Sequence, residues 1–86
     1  MFGLSPALLK VLKKLGDFLQ AAIERAMLDV AQDVRPSPEK MTDWLENEMV
    51  DWEPTIKGRK LADPVTRRAA ARFLAGVACN FANPQT

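Results

Sequence analysis

Few side chains in this sequence could carry out catalysis. The chain has no histidine and no tyrosine, and it contains one cysteine, Cys79, and two serines, Ser5 and Ser37. Nucleophilic catalysis by serine or cysteine needs an adjacent base, which is most often histidine. Both serines directly precede a proline, where they can cap helices, and Cys79 lies among alanines, as a buried structural thiol would. We therefore expect no catalytic residues and a protein that is not an enzyme.

Metal and phosphate ligands are equally sparse. Transition metals bind to histidine or to clustered cysteine, and neither is present. Glu39, Asp43 and Glu46 share one face of a predicted helix, but they lack the loop geometry of a calcium site, so we interpret them as solvated acidic surface. The four glycines are scattered and form no phosphate-binding loop. The sequence predicts neither a metal nor a cofactor.

Length and composition favour one small domain over residues 1–86. The chain has 86 residues, of which 48% are apolar and 27% charged, and its net charge is +1. No stretch approaches the roughly 20 apolar residues of a membrane-spanning helix. The lysines near the N-terminus lie inside the apolar stretch, which is unlike a signal peptide, and a lone cysteine suits a reducing compartment. We therefore expect a cytoplasmic protein.

The six prolines divide the chain into three segments. Ser5-Pro6, Ser37-Pro38 and Asp63-Pro64 each place an N-capping side chain before a proline at the first helical position. The other prolines follow amphipathic runs, which they terminate. No period-two alternation or hairpin signal occurs. The sequence thus predicts an all-α, three-helix domain with helices over 6–34, 38–52 and 64–82.

The apolar side of helix 1 spans about half its circumference, which is wider than the roughly 100° face of an ordinary surface helix. Since every helix rises by the same amount per residue, this helix is also much longer than the other two. Two shorter helices would leave part of its apolar side uncovered, so we expect self-association or a protein partner there. The predicted interface consists of Leu8, Leu12, Leu15, Leu19 and Ile23, together with the exposed apolar residues Leu28 and Val50.

Helices 2 and 3 each carry a charge on their apolar side. Glu48 falls between the tryptophans of helix 2, and Arg67 projects toward the large apolar groups of helix 3. A charge in an apolar setting needs a partner, so we predict an ion pair between Glu48 and Arg67. The alternative is that both side chains extend to solvent.

Charge is segregated along the chain. Residues 1–34 are neutral, residues 35–53 carry a net charge of −4, and residues 54–86 carry +5. The acidic helix 2 could pair with the basic segment internally, or each could meet a complementary patch on a partner. Within helix 1, basic residues precede acidic ones, an order that opposes the helix dipole and indicates an interaction outside the helix.

These patterns favour a helical protein–protein interaction module, such as a small adaptor, inhibitor or assembly subunit. Two alternatives remain. A nucleic acid could bind the basic stretch through Lys57, Arg59, Lys60, Arg68 and Arg72, although the overall charge is near zero. The lysines opposite the leucines of helix 1 also resemble a membrane-surface helix, although a bundle would leave the same lysines in water.

Overall fold

The computed structural model describes residues 3, 5–53, 55–56, 59–60 and 63–82. Three helices, α1 (Pro6–Ala31), α2 (Pro38–Glu48) and α3 (Pro64–Ala82), form the fold. Between α2 and α3, the two-residue strands β1 (Thr55–Ile56) and β2 (Arg59–Lys60) pair antiparallel, Thr55 opposite Lys60. The predicted all-α, three-helix class is confirmed, whereas this minimal hairpin was not predicted.

The three helices begin where the sequence predicts. The backbone N–H groups of Leu8 and Lys40 donate to the hydroxyls of Ser5 and Ser37, at 3.1 and 3.3 Å. The N–H of Thr66 donates to the Asp63 carboxylate at 2.7 Å. Each capping side chain satisfies one of the otherwise unpaired N–H groups of a first turn.

Helix α1 is continuous through Gly16 but ends at Ala31, three residues before the predicted end. Asp33 adopts a left-handed backbone conformation, with φ of 63°. The N–H of Val34 then donates to the Asp29 carbonyl at 2.7 Å, and that of Asp33 to the Val30 carbonyl at 3.0 Å. These two bonds form a Schellman motif, with aspartate where glycine is usual.

Helix α2 ends at Glu48, four residues before the predicted end. Met49 is fully buried, and the chain turns after it so that Trp52 donates its N–H to the Met49 carbonyl at 3.0 Å. This turn sets the Trp52 ring edge-on to Phe18, with the ring centroids 5.5 Å apart. If α2 continued to residue 52, Trp52 would not reach this contact with Phe18. Tertiary packing therefore determines where α2 ends, although the helical pattern continues.

Helix α3 packs against both other helices. The segment from Trp44 in α2 to Trp52 runs antiparallel to α1, because Phe18 contacts Trp52 while Arg25 lies over the Trp44 ring, 4.8 Å from its centroid. Small residues dominate the side that α3 contributes to the core. The buried apolar core consists of Phe18, Ala22, Ala26, Met41, Leu45, Met49, Ala71, Leu74, Ala75, Ala78 and Cys79.

The N-terminal part of α1 extends beyond this core. The first buried residue of α1 is Phe18, although the helix begins at Pro6. Leu9 and Leu12 in this part are 50% and 47% exposed. Leu8, Val11 and Leu15 on the other side of this part are partly buried, so among the described residues the exposed apolar surface lies on one flank.

Candidate functional site

The outer side of α3 is apolar and exposed. Phe73 is 71% exposed and Phe81 65%, and Val77 lies between them at 37%. Spacings of four residues place the three side chains in one row along the helix. At roughly 100° per residue the three side chains span about 80° of the helix. The three arginines of α3 lie outside this sector, and the polar Asn80 lies at its edge beside Phe73.

This row meets α1 at a groove. Met27 and Val30 of α1 line it from one side and Phe81 of α3 from the other, around a volume of about 220 Å³. Turning α1 by about 100° per residue places Leu9 and Leu12 on the same side as Met27 and Val30. We call this combined surface the α1–α3 apolar surface; it consists of Leu9, Leu12, Met27, Val30, Phe73, Val77 and Phe81.

The residues predicted as an interface occupy three different environments. Leu15, Leu19 and Ile23 are partly buried and pack against the core, and Leu8 is half-buried. Leu12, Leu28 and Val50 are exposed. Of these three, only Leu12 lies on the α1–α3 apolar surface, because Leu28 projects from the opposite side of α1 and Val50 follows the end of α2.

Helices α2 and α3 are joined by an ion pair, but its partners differ from the predicted ones. Arg68 Nη1 lies 2.6 Å from Glu46 Oε1 and 3.1 Å from Asp43 Oδ1. These hydrogen bonds, to Glu46 first and then to Asp43, raise the pKa of Arg68. The negative charge of α2 is therefore balanced in part within the chain.

The predicted pair of Glu48 and Arg67 is not formed in the described part of the chain. Glu48 is exposed at the last position of α2, and the buried Nε of Arg67 has no hydrogen-bond partner. The prediction assumed that α2 continues to residue 52, which would place Glu48 among apolar neighbours. Since the helix ends at Glu48, its carboxylate reaches water instead.

The predicted nucleic-acid contacts do not form a free basic surface among the described residues. Arg68 is engaged with two carboxylates of α2, so its charge is partly neutralised within the chain. Arg72 is exposed but lines a cavity together with Glu39 and Asp43. Lys57 lies outside the described residues, and Arg59 and Lys60 are described only through their place in β2.

Chemistry at the remaining reactive groups is limited. Cys79 is buried, and burial raises the pKa of its thiol, which disfavours the reactive thiolate. Within the described ranges, no three acidic or cysteine side chains cluster as metal ligands. None of the described helices is long and apolar enough to cross a membrane.

Sequence reasoning missed Phe73 and Phe81 as surface residues because it assigned the large side chains of α3 to its packed side. The sequence signal that could have corrected this assignment is a second row on α3, which consists of small residues. Ala71, Ala75, Ala78 and Cys79 are all buried, and small residues of this kind let two helices approach closely. Helix α3 packs against its two neighbours mainly through this row of small residues, so Phe73 and Phe81 remain exposed.

Known protein families, curated proteins and solved structures were each compared with the chain, and none of them matches it.

Proposed function

We propose that this chain is a non-enzymatic protein–protein interaction module, acting as a small adaptor, inhibitor or assembly subunit, and that it binds protein through the α1–α3 apolar surface. The observation that supports this most strongly is the exposure of Phe73 and Phe81, at 71% and 65%, in a sector of α3 without charges. Single exposed apolar residues are ordinary, but contiguous apolar patches mark interaction sites.

The energetics favour a protein partner for this surface. Complete burial of a phenylalanine side chain contributes about 1.5–3 kcal/mol, so the two mostly exposed rings alone could improve a dissociation constant by about two orders of magnitude. Met27 and Val30 add a groove beside Phe81. Aromatic side chains that enter grooves of this kind commonly carry much of the binding energy at interfaces.

Site-specific photo-crosslinking tests the proposal. A photoreactive phenylalanine analogue replaces Phe73 in one protein and Asn47, an exposed residue of α2, in a control. Both are irradiated in extract of the source cells, and adducts are identified by mass. We expect a defined protein adduct from position 73 and none from position 47, and the purified partner should bind about tenfold or more weakly to Phe81→Glu.

Two results would contradict the proposal. One is the same adduct pattern from both positions, with purified binding indifferent to Phe81→Glu. The other is that no protein binds, while the chain co-sediments with anionic vesicles or binds DNA or RNA in a salt-dependent way. In that case Phe81→Glu would abolish the binding to vesicles or nucleic acid. Phe81→Glu must keep the helical circular dichroism of the parent, which we expect because residue 81 is 65% exposed.

A further inference from the structure

We propose that one protein partner of the α1–α3 apolar surface is a second copy of this chain, whose α1 lies antiparallel to α1 of the first. In this arrangement Leu9 and Leu12 of each copy enter the groove beside Phe81 of the other. The inference rests on the proposed function and names its partner.

The spacing of the apolar residues along α1 fits a two-fold axis. The interval from Leu9 to Met27 equals the interval from Leu12 to Val30, and each corresponds to about five full turns of helix. An antiparallel pair centred between positions 19 and 20 therefore sets Leu9 opposite Val30 and Leu12 opposite Met27. Both contacts occur twice, as the symmetry of a homodimer requires.

The same centre sets Gly16 of one helix opposite Ile23 of the other. A Cβ at Gly16 would meet no atom within 4 Å among the described residues, so their packing gives no reason for glycine here. Glycine inside a helix is less favourable than alanine. Close approach of a second helix, with Ile23 over the missing side chain, supplies a reason.

The groove is large enough to accept leucine side chains of the second copy. A cavity of about 150 Å³ accommodates a benzene molecule, and the groove lined by Met27, Val30 and Phe81 has about 220 Å³. Leu9 and Leu12 are about half exposed in the single chain. They lie in the part of α1 that precedes its first buried residue, Phe18.

The dipoles of the two helices also favour the antiparallel arrangement. An antiparallel partner opposes the dipole of the first α1, whereas a parallel partner would align with it. The charges of α1 do not decide the orientation, because Lys10 and Lys14 lie on the side of the helix away from Leu9 and Leu12.

The available area suits a dimer that uses both helices. From the usual rise and diameter of an α-helix, the flanks of α1 and α3 project a combined area of about 700 Å². A standard interface buries about 800 Å² on each partner. The flank of α1 alone gives little more than half of this, which is why Phe81 and its neighbours on α3 belong to the interface.

Disulfide trapping with two different single-cysteine variants tests this geometry. Leu12→Cys and Met27→Cys are each made in a Cys79→Ala background, and helical content is checked by circular dichroism. The two proteins are refolded separately and together, then oxidised mildly and analysed by mass spectrometry. Identical positions would be about 22 Å apart in the antiparallel pair, far beyond the roughly 7 Å limit between Cα atoms of a disulfide.

We expect a mixed disulfide when the two variants are refolded together, and no dimer when either is refolded alone. Disulfides between identical variants would indicate a parallel pair and overturn the proposal. The absence of any disulfide would also overturn the proposal. The parent would then be either a monomer or a dimer that forms through another surface. In the monomeric case, a protein adduct at position 73 in the photo-crosslinking experiment would leave the proposed function standing.

Discussion

Arg68 of α3 donates a hydrogen bond of 2.6 Å to Glu46 of α2. The same guanidinium nitrogen lies 3.1 Å from Asp43, so one arginine links the two helices through two carboxylates. This contact corresponds to the first of the two uses that the charge pattern allows, internal pairing of the acidic helix α2 with basic residues of α3. What remains for a partner is mainly the α1–α3 apolar surface.

Removal of this ion pair should destabilise the fold moderately. We expect Arg68→Ala and Glu46→Gln to lower Tm by a few degrees, because charge-assisted hydrogen bonds between α2 and α3 are lost. Glu48→Gln is the matched control on the same helix, and its Tm should equal that of the parent. A large effect of Glu48→Gln, with none from Glu46→Gln, would favour the Glu48–Arg67 pair instead.

The end of α1 offers a stabilising substitution. Asp33 has φ of 63°, a conformation that glycine adopts without the steric cost paid by other residues. We expect Asp33→Gly to raise the free energy of unfolding by up to about 1 kcal/mol, and Asp33→Ala not to raise it. Denaturant titration measures both, and equal stabilisation by alanine would argue against the left-handed cap.

The cap of α3 should make stability depend on pH. Hydrogen bonds from Thr66, first from its backbone N–H, lower the pKa of Asp63. A carboxylate whose pKa is lower in the folded state stabilises the fold above its unfolded pKa, and this contribution is lost as the pH falls through the folded pKa.

The substitution Asp63→Asn isolates this titration, because an asparagine side chain keeps the capping bond without the charge. We expect the parent to have the higher Tm at pH 7, and the difference to become smaller when the pH is lowered to about 3. A difference in Tm that is the same at both pH values would show that the charge of Asp63 does not contribute.

Substitution of Gly16 by alanine should change the stability of the fold and the strength of self-association in opposite directions. In the Leu12→Glu background, which should be monomeric, Gly16→Ala should raise the free energy of unfolding by about 0.5–1 kcal/mol. In the parent, the added methyl group should weaken the dimer about tenfold or more, because it meets Ile23 of the other copy. Tighter association of Gly16→Ala would contradict the antiparallel packing.

The starts of the helices could be predicted from sequence because they depend on local chemistry. Ser5, Ser37 and Asp63 each bond an N–H three residues ahead, a contact set by adjacent residues alone. The ends could not be predicted in the same way. Helix α1 ends through a left-handed residue, Asp33, and α2 ends because Trp52 turns to pack on Phe18.

The site was predicted only in part, for a related reason. The excess apolar surface of α1 follows from its length and periodicity, and Leu28 and Val50, which were predicted to be exposed, are exposed. Which side of α3 packs inward depends on how closely two neighbouring helices approach it, and in the sequence only the row of small residues on α3 indicates this. The same limit applies to the predicted ion pair of Glu48 and Arg67. That prediction assumed that α2 extends to residue 52, whereas tertiary packing ends the helix at Glu48.

The mass of the chain in solution tests the central claim most directly, namely that the α1–α3 apolar surface is a protein interface and that a second copy covers it. Light scattering should give the parent about twice the 9.6 kDa of one chain. Leu12→Glu should have the mass of a single chain, whereas Leu28→Glu, which alters a comparably exposed leucine on the opposite side of α1, should match the parent. A parent with the mass of one chain at every soluble concentration, or dissociation by Leu28→Glu but not by Leu12→Glu, would contradict the account.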